Sequence, residues 1–369
     1  MRTGPKSLPA GRLGRGNASL PAGRLGRGNT VSARRQTRLR ERLPQSFGLP
    51  YLLKVWKMTI FGNNYREGYR VTLCCKGYVT NLKLTMLDTY YKLNSGYAIP
   101  AVGFGTWQSE PEKTAAAVQT AIESGFRHID TASLYRNEKE VGEGVAAALK
   151  AGGLRREDIF VTTKVWNSER GYGRTLRSFE QSLSSLGMEY VDLFLIHWPA
   201  VPSQYECWKE LNLETWRAME KLVGDGRVRS IGVSNFMPHH LEPLLDSCRI
   251  LPAVNQIEYH PGWTQPECVE FCKKHGILVE AWSPLANGDA LKNESLIAMA
   301  EKYGVSVSQL VLNWVAANGV IPLSKSVTPS RIRENAQAFD FVIAEEDLRS
   351  ITAITEPMGK RRNPDLVLY

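Results

Sequence analysis

A closed barrel of eight parallel strands alternating with helices, a (β/α)8 barrel, is the fold class that three observations predict. Eight short apolar runs recur between residues 101 and 325, helix-like stretches separate them, and three successive runs each end in one polar residue. Alternation of strand and helix implies parallel strands, and eight of them in one domain of this length imply closure. An open doubly wound sheet is the rival, but its glycine-rich turn after the first strand is incomplete: Gly103-Phe104-Gly105 has no third glycine in the right place. With 43% hydrophobic residues, the 369-residue chain can bury a sizeable core.

In chain order, the first 43 residues read as low-complexity chain. The run SLPAGRLGRGN at 7–17 recurs at 19–29, and glycine and proline at this density hold neither helix nor strand. Residues 44–85 show no clear periodicity, so 1–85 is expected to be a disordered basic extension. It carries 17 Lys+Arg against 2 Asp+Glu, leaving 29 against 35 in residues 86–369. The net charge of +9 therefore belongs to the extension, and the body is acidic. A transit peptide would want an amphipathic helix and more serine; an RNA tether would want aromatics interleaved before Phe47. Met86 immediately precedes the first structured-looking segment and would serve as a start, in which case residues 1–85 are not native.

A strand pair at 91–93 and 97–99, turning at Asn94-Ser95-Gly96, is expected to cap the N-terminal end of the barrel. The eight barrel strands are expected at 101–106, 126–130, 159–164, 191–197, 229–235, 253–258, 277–283 and 320–325. Helices are expected at 112–124, 138–150, 172–186, 211–224 and 308–318. The six cysteines show no disulfide framework; Cys268 and Cys272 share a helical face and read as packing or surface thiols, and no metal site is expected. No apolar run reaches membrane-spanning length, and neither a membrane nor a nucleic acid is expected as a partner.

The chemistry is carried by the strand ends. The second run closes on Asp130 with Tyr135 five residues later, the third delivers Lys164, and the fourth delivers His197, at nearly equal intervals. The C-terminal face of such a barrel brings these four side chains together. A phenol is a weak acid, with a reference pKa near ~10, but an adjacent ammonium favours the phenolate and makes the proton easier to give. Lys164 suits that role with Asp130 holding it by an ion pair. His197 can hydrogen-bond a carbonyl oxygen and stabilise charge as hydride arrives at carbon. Singly each has a structural reading: a turn cap, a rim aromatic, a solvated strand end, a core histidine. Together they form a proton-delivery device suited to carbonyl reduction.

The segments GFRHIDTASLYRNEKEVG, VTTKVWN, LFLIHWP, IGVSNF, VNQIEYHP, EAWSPLANG and KSVTPSRIREN stand in an order that resembles the aldo-keto reductases, over residues 87 to about 353. The resemblance, to the microbial-type branch, implies a barrel binding NADP(H), with Tyr135 as general acid, Asp130 and Lys164 tuning it, and His197 positioning the carbonyl. It implies that Ser234, Asn235 and Gln256 hold the nicotinamide carboxamide and that Trp282 stacks on the ring. Ser283, Leu285, Asn287 and Asp289 resemble the loop over the pyrophosphate. Lys325, Ser326, Val327, Thr328 and Arg331 resemble the 2′-phosphate pocket, with Glu334 and Asn335 beside the adenine. Thr106, Trp107 and Asp130 complete the cofactor contacts, and Trp107, Trp166 and Trp198 would line the substrate cavity with a further wall from loop 200–209. Two cations near one phosphate favour NADPH over NADH.

Two departures stand out. Ile321-Pro322-Leu323-Ser324-Lys325 is two residues longer than the family's usual Ile-Pro-Lys, which allows Lys325 to be displaced, and the chain stops at Tyr369 where many members carry a long specificity loop. The expected function is NADPH-dependent reduction of aldehydes and ketones by a cytoplasmic monomer. The competing one is a cofactor-binding regulatory barrel resembling potassium-channel beta subunits, disfavoured by the intact Tyr135 and His197. Members acting on steroid double bonds carry glutamate at the histidine position, which His197 also disfavours.

Overall fold

The computed structural model describes residues 57–61, 69–75, 78–84, 86–200 and 202–366. The chain divides into units 1–45 and 46–369, and every described residue belongs to the second. The repeat and much of the expected extension lie outside the described residues. Within that stretch, β1 (Lys57–Phe61), β2 (Tyr69–Cys75) and β3 (Tyr78–Leu84) form an antiparallel sheet in that order, where the sequence signalled no element. Its segments are rich in valine, threonine and tyrosine without strict alternation, so residue preference rather than periodicity is the readable trace.

The hairpin β4 (Tyr90–Lys92) and β5 (Ala98–Pro100) follows, as expected. Leu93 and Ile99 pack with Phe160, Leu193, Leu195, Ala253, Val254 and Ile321, several of them from the first residues of barrel strands. Asn94 donates to the Pro252 carbonyl (2.8 Å) just before one strand, and Ser95 shares a hydrogen bond with Ser230 on another (2.8 Å). The hairpin therefore plugs the N-terminal end of the barrel.

The barrel strands are β6 (Gly103–Gly105), β7 (His128–Asp130), β8 (Phe160–Val165), β9 (Val191–Ile196), β10 (Val228–Ser234), β11 (Val254–Glu258), β12 (Leu278–Trp282) and β13 (Ile321–Ser324). All pair in parallel, and Leu323 against Gly103 and Ser324 against Phe104 close the circle. Nearly every strand residue is buried, because helices cover the outside and side chains fill the inside.

The helices expected from strong periodicity are present as α1 (Pro111–Glu123), α2 (Glu138–Lys150), α3 (Tyr172–Leu186), α4 (Trp208–Gly224) and α8 (Val307–Ala317), with α5 (Pro238–Leu245), α6 (Pro266–Lys274) and α7 (Glu294–Tyr303) between. Two more, α9 (Pro329–Ala336) and α10 (Glu345–Thr352), follow β13. Several begin on proline, whose fixed φ suits the first turn and whose missing N–H costs nothing there. Phe179, Phe194, Trp216, Trp314 and Ile129 anchor the layer between strands and helices. Among the described residues, no helix is long and apolar enough to cross a membrane.

Candidate active site

The structure brings Asp130, Tyr135, Lys164 and His197 to one end of the barrel. Asp130 ends β7; Lys164 is the fifth residue of β8; His197 follows β9; Tyr135 closes the 3-10 turn Ser133–Tyr135 after β7. Lys164 is 0% exposed, and its Nζ donates to Asp130 Oδ1 (2.7 Å) and Oδ2 (2.8 Å), the Thr131 carbonyl (2.9 Å) and Tyr135 Oη (3.2 Å). Burial opposes the ammonium, but the Asp130 carboxylate and Tyr135 outweigh it and hold Lys164 above the usual lysine range. A lysine ammonium thus sits against the phenol oxygen.

His197 lies edge-on to Tyr135 (5.7 Å between centroids) and to Trp166 (5.1 Å). Burial, then the charge of Lys164, push it well below the ordinary histidine value, so the imidazole is neutral. A neutral imidazole is a hydrogen-bond partner rather than an acid, which leaves Tyr135 as the group with a proton and a neighbour that helps it leave. Trp107, 46% exposed, packs on Tyr135 at 4.8 Å, while Trp198 is buried edge-on against Trp282 at 6.4 Å. Of the three tryptophans, Trp107 packs on the ring of Tyr135 and Trp166 on that of His197, whereas Trp198 braces Trp282. Ahead of α4, the 3-10 segment Pro202–Cys207 occupies most of the expected loop wall; residue 201 lies outside the described residues.

The residues assigned to the nicotinamide form one chain of hydrogen bonds. Trp282 Nε1 donates to Asn235 Oδ1 (2.8 Å), Asn235 Nδ2 donates to the His197 carbonyl (3.0 Å) and to Ser234 Oγ (3.1 Å), and Ser234 donates to the Gln256 carbonyl (2.8 Å). The ring of Trp282 is thereby fixed. The Gln256 side chain points down instead, its Nε2 donating to Asp130 Oδ2 (2.9 Å) and Glu280 Oε2 (2.9 Å). Its amide nitrogen is committed within the protein, leaving Oε1 as the end that accepts.

Lys325 follows β13 directly and donates to the Gln108 carbonyl (3.0 Å), tying the loops after the first and last strands; burial pulls it below the usual lysine value. Ser326 accepts from the Thr328 N–H (3.1 Å) at the entry to α9, on which the exposed Arg331 and the buried Asn335 stand. The 3-10 segment Ala286–Lys292 carries Asn287 and Asp289; Asn287 N–H donates to Ser283 Oγ (3.1 Å). Gln108, Arg136, Asn235, Gln265, Ser283, Ala286 and Asn287 adopt positive φ, and all follow the C-terminal ends of barrel strands. Such backbone is costly for non-glycine residues and concentrates where a site demands it.

The sequence did not reveal a strap formed by the last described residues. Glu258, buried at the end of β11, accepts the N–H groups of Lys360 (3.0 Å) and Arg362 (3.1 Å), and Asp289 accepts that of Gly359 (3.2 Å). Asp365 lies 2.9 Å from His240 Nε2 and 3.1 Å from His239 Nε2. These three could suit a metal, but the Met237 N–H donates to His240 Nδ1 (3.1 Å), which places the proton on Nε2, the nitrogen that a metal would need.

Comparison with known proteins identifies the relatives of this barrel. The model of the Aldo/keto reductase family matches residues 101–356. The chain is 45% identical over 286 residues to a glyoxal reductase of Bacillus subtilis, covering 77% of this chain and 99% of that one. Among solved structures, an aldo/keto reductase from Brucella melitensis superposes with a TM-score of 0.66 at 46% identity, covering 72% of this chain and 98% of that one. A Bombyx mori aldo-keto reductase in complex with NADP does so at 0.66 and 36%, covering 72% and 92%. Eight parallel strands, a matching model over most of the barrel and relatives covered almost end to end leave one assignment: the chain belongs to the aldo/keto reductase family of oxidoreductases.

Proposed function

We propose that the protein reduces aldehydes and ketones to alcohols with NADPH, Tyr135 acting as general acid. The contact that carries the reading is the 3.2 Å approach of the buried Lys164 ammonium to Tyr135 Oη. NADPH, when bound, supplies the hydride to the carbonyl carbon. The protein's part is to hold the carbonyl oxygen between Tyr135 and the neutral His197, and to pass the phenolic proton to that oxygen as charge develops. Lys164 stabilises the phenolate left behind, and Asp130 keeps Lys164 in place. The residues fit the cofactor: the fixed indole of Trp282 offers a stacking surface, Ser234 and Asn235 and the accepting end of Gln256 suit a carboxamide, and Lys325 with Arg331 suits a 2′-phosphate. The family resemblance assigns Val327, Thr328, Glu334 and Asn335 to the surroundings of that phosphate and adenine, and Thr106, Leu285 and Asn287 to the rest of the cofactor. The exposed Trp107 and the half-buried Trp166 favour small or apolar aldehydes, in keeping with the glyoxal reductase to which the chain is similar. All these groups come from one chain, so a monomer suffices.

The test is NADPH consumption with glyoxal and simple aldehydes by the full chain and by Tyr135→Phe. The variant should lose at least ~100-fold in turnover, the usual worth of a general acid, and unchanged turnover would sink the assignment. A regulatory barrel would instead bind NADPH and turn over none of a carbonyl panel.

A further inference from the structure

We propose that Glu280, buried beneath the catalytic groups, is a positioning residue that works as a neutral carboxylic acid: through Gln256 it fixes Asp130 and Lys164, and its proton keeps a second negative charge away from Tyr135. The inference rests on the reading of Tyr135 as proton donor.

Glu280 is the third residue of β12, fully buried inside the barrel, with Gln256 as its register partner on β11. A side-chain amide nitrogen carries two hydrogens. The two short contacts of Gln256 Nε2 account for both: one goes to Asp130 Oδ2 and the other to Glu280 Oε2, each at 2.9 Å. Gln256 is therefore a brace between two carboxyl groups. Asp130 is held by it from one side and by Lys164 from the other, and Lys164 reaches Tyr135. Without an acceptor at Glu280, the brace loses its footing and leaves a buried N–H unsatisfied.

The charge count favours a protonated Glu280. Asp130 and Lys164 cancel; an ionised Glu280 would add an uncompensated charge in a dry interior, where such charges are expensive. The titratable groups that face it are Asp130 and His128 from β7 and Lys164 from β8, with Tyr135 beyond; β11 contributes only the Gln256 amide, and its register partner on β13 is Ile321. His128 supplies no cation, since burial and then Lys164 pull it down to about 3. Its Nε2 shares a hydrogen bond with Thr162 Oγ1 (2.9 Å), and its Nδ1 lies 3.8 Å from Glu280 Oε1. Neither Nδ1 nor Oε1 has a hydrogen-bond partner in the structure, and they face one another. A proton on Oε1 gives both a role, since an O–H there aims at the imidazole lone pair and closes a bond after a contraction of about 1 Å. Gly103 makes room for the ring, because a Cβ there would come within 2.8 Å of His128 Nδ1. Burial, followed by the charge of Asp130, pushes the Glu280 carboxyl up to about 8, in agreement with this geometry.

Glu280→Gln keeps an acceptor for Gln256 and stays neutral at every pH. Reduction at pH 6.5 should remain within about twofold of wild type. Its alkaline limb should move down by about one pH unit, because no charge then arises to oppose the tyrosinate. Carbon-13 NMR of labelled tyrosine should show Tyr135 ionising at lower pH by a similar amount, a readout independent of turnover. Glu280→Leu, which removes the acceptor, should lose about tenfold or more at pH 6.5; if that variant does not fold, Glu280→Gln decides alone. Superimposable rate profiles and Tyr135 titrations in Glu280→Gln and wild type would overturn the proposal, as would a tenfold loss at pH 6.5 in Glu280→Gln or full activity in a folded Glu280→Leu. If Tyr135→Phe kept its turnover, the acid assignment would fail, while the NMR titration would still read the coupling between Glu280 and Tyr135.

Discussion

Asp192 and Asp130 are both buried carboxylates on barrel strands, and they are compensated in opposite ways. Asp192, near the start of β9, accepts from Arg229 (2.8 Å) and the Val161 N–H (2.9 Å), and Arg156 lies 3.0 Å away. Both guanidiniums also lie over the Tyr190 ring, at 4.3 and 4.4 Å. Burial raises the Asp192 carboxyl above its ordinary value, with Arg156 and Arg229 pulling the other way. Asp130, at the far end of β7, has one cation, Lys164, and shares a glutamine amide with a second carboxyl group. At the plugged end positive charge is in surplus and nothing needs to move. At the mouth it is just sufficient, so a small change in charge, such as the departure of the phenol proton, is felt by the whole group.

Substituting each centre should expose the difference. Lys164→Met strips Asp130 of its cation and should cost about 3–5 kcal/mol in urea unfolding, the usual penalty for an orphaned buried charge. It should also cut turnover by at least ~100-fold. Asp192→Asn should lower stability while leaving the rate constant for reduction within about twofold of wild type; an equal loss of turnover would erase the distinction.

The second expectation concerns pH. Glu280, raised from 4.5 to about 8, keeps in the native state a proton that the unfolded chain has released, so stability falls as pH climbs across that interval. His128, lowered from 6.5 to about 3, refuses a proton that the unfolded chain accepts, so stability falls as pH drops from 6.5 toward 3. The two slopes oppose each other between 4.5 and 6.5, and Glu280 dominates above. Calorimetry of wild type and Glu280→Gln should therefore diverge with rising pH, the wild type losing roughly 4 kcal/mol relative to the variant by pH 8. Parallel curves would show that Glu280 ionises freely. The smallest effect is at the rim: Lys325→Ala with Arg331→Ala should raise the Michaelis constant for NADPH about 10- to 100-fold, some 1.4–2.8 kcal/mol, and leave that for NADH nearly unchanged.

The cluster at the mouth was legible because Asp130, Lys164 and His197 each close an apolar run, with Tyr135 five residues after the first, and an interrupted run is visible along the chain. So were α2 and α3, whose apolar spacing persists over several turns. The eight-residue helices α5, α9 and α10 were not, because two turns give too few apolar positions to set a period. Glu280 escaped for a different reason. It stands inside an apolar run, where a lone glutamate reads as solvent-facing, and only strand register places it beside Gln256. Its spacing of two from Trp282, on the same strand face, was the available clue. The terminal strap was equally hidden, since its bonds to Glu258 and Asp289 are made by backbone N–H groups that any sequence possesses.

The pairing of Leu323 with Gly103 that closes the barrel also sets a timetable. On the ribosome, where roughly 5–20 residues are added per second, β6 waits some tens of seconds for the strand that will cover its free side. An open strand edge invites pairing with other chains. Three residues of glycine, phenylalanine and glycine make that edge too short to be a good template, so the brevity of β6 protects the nascent chain until the ring is complete.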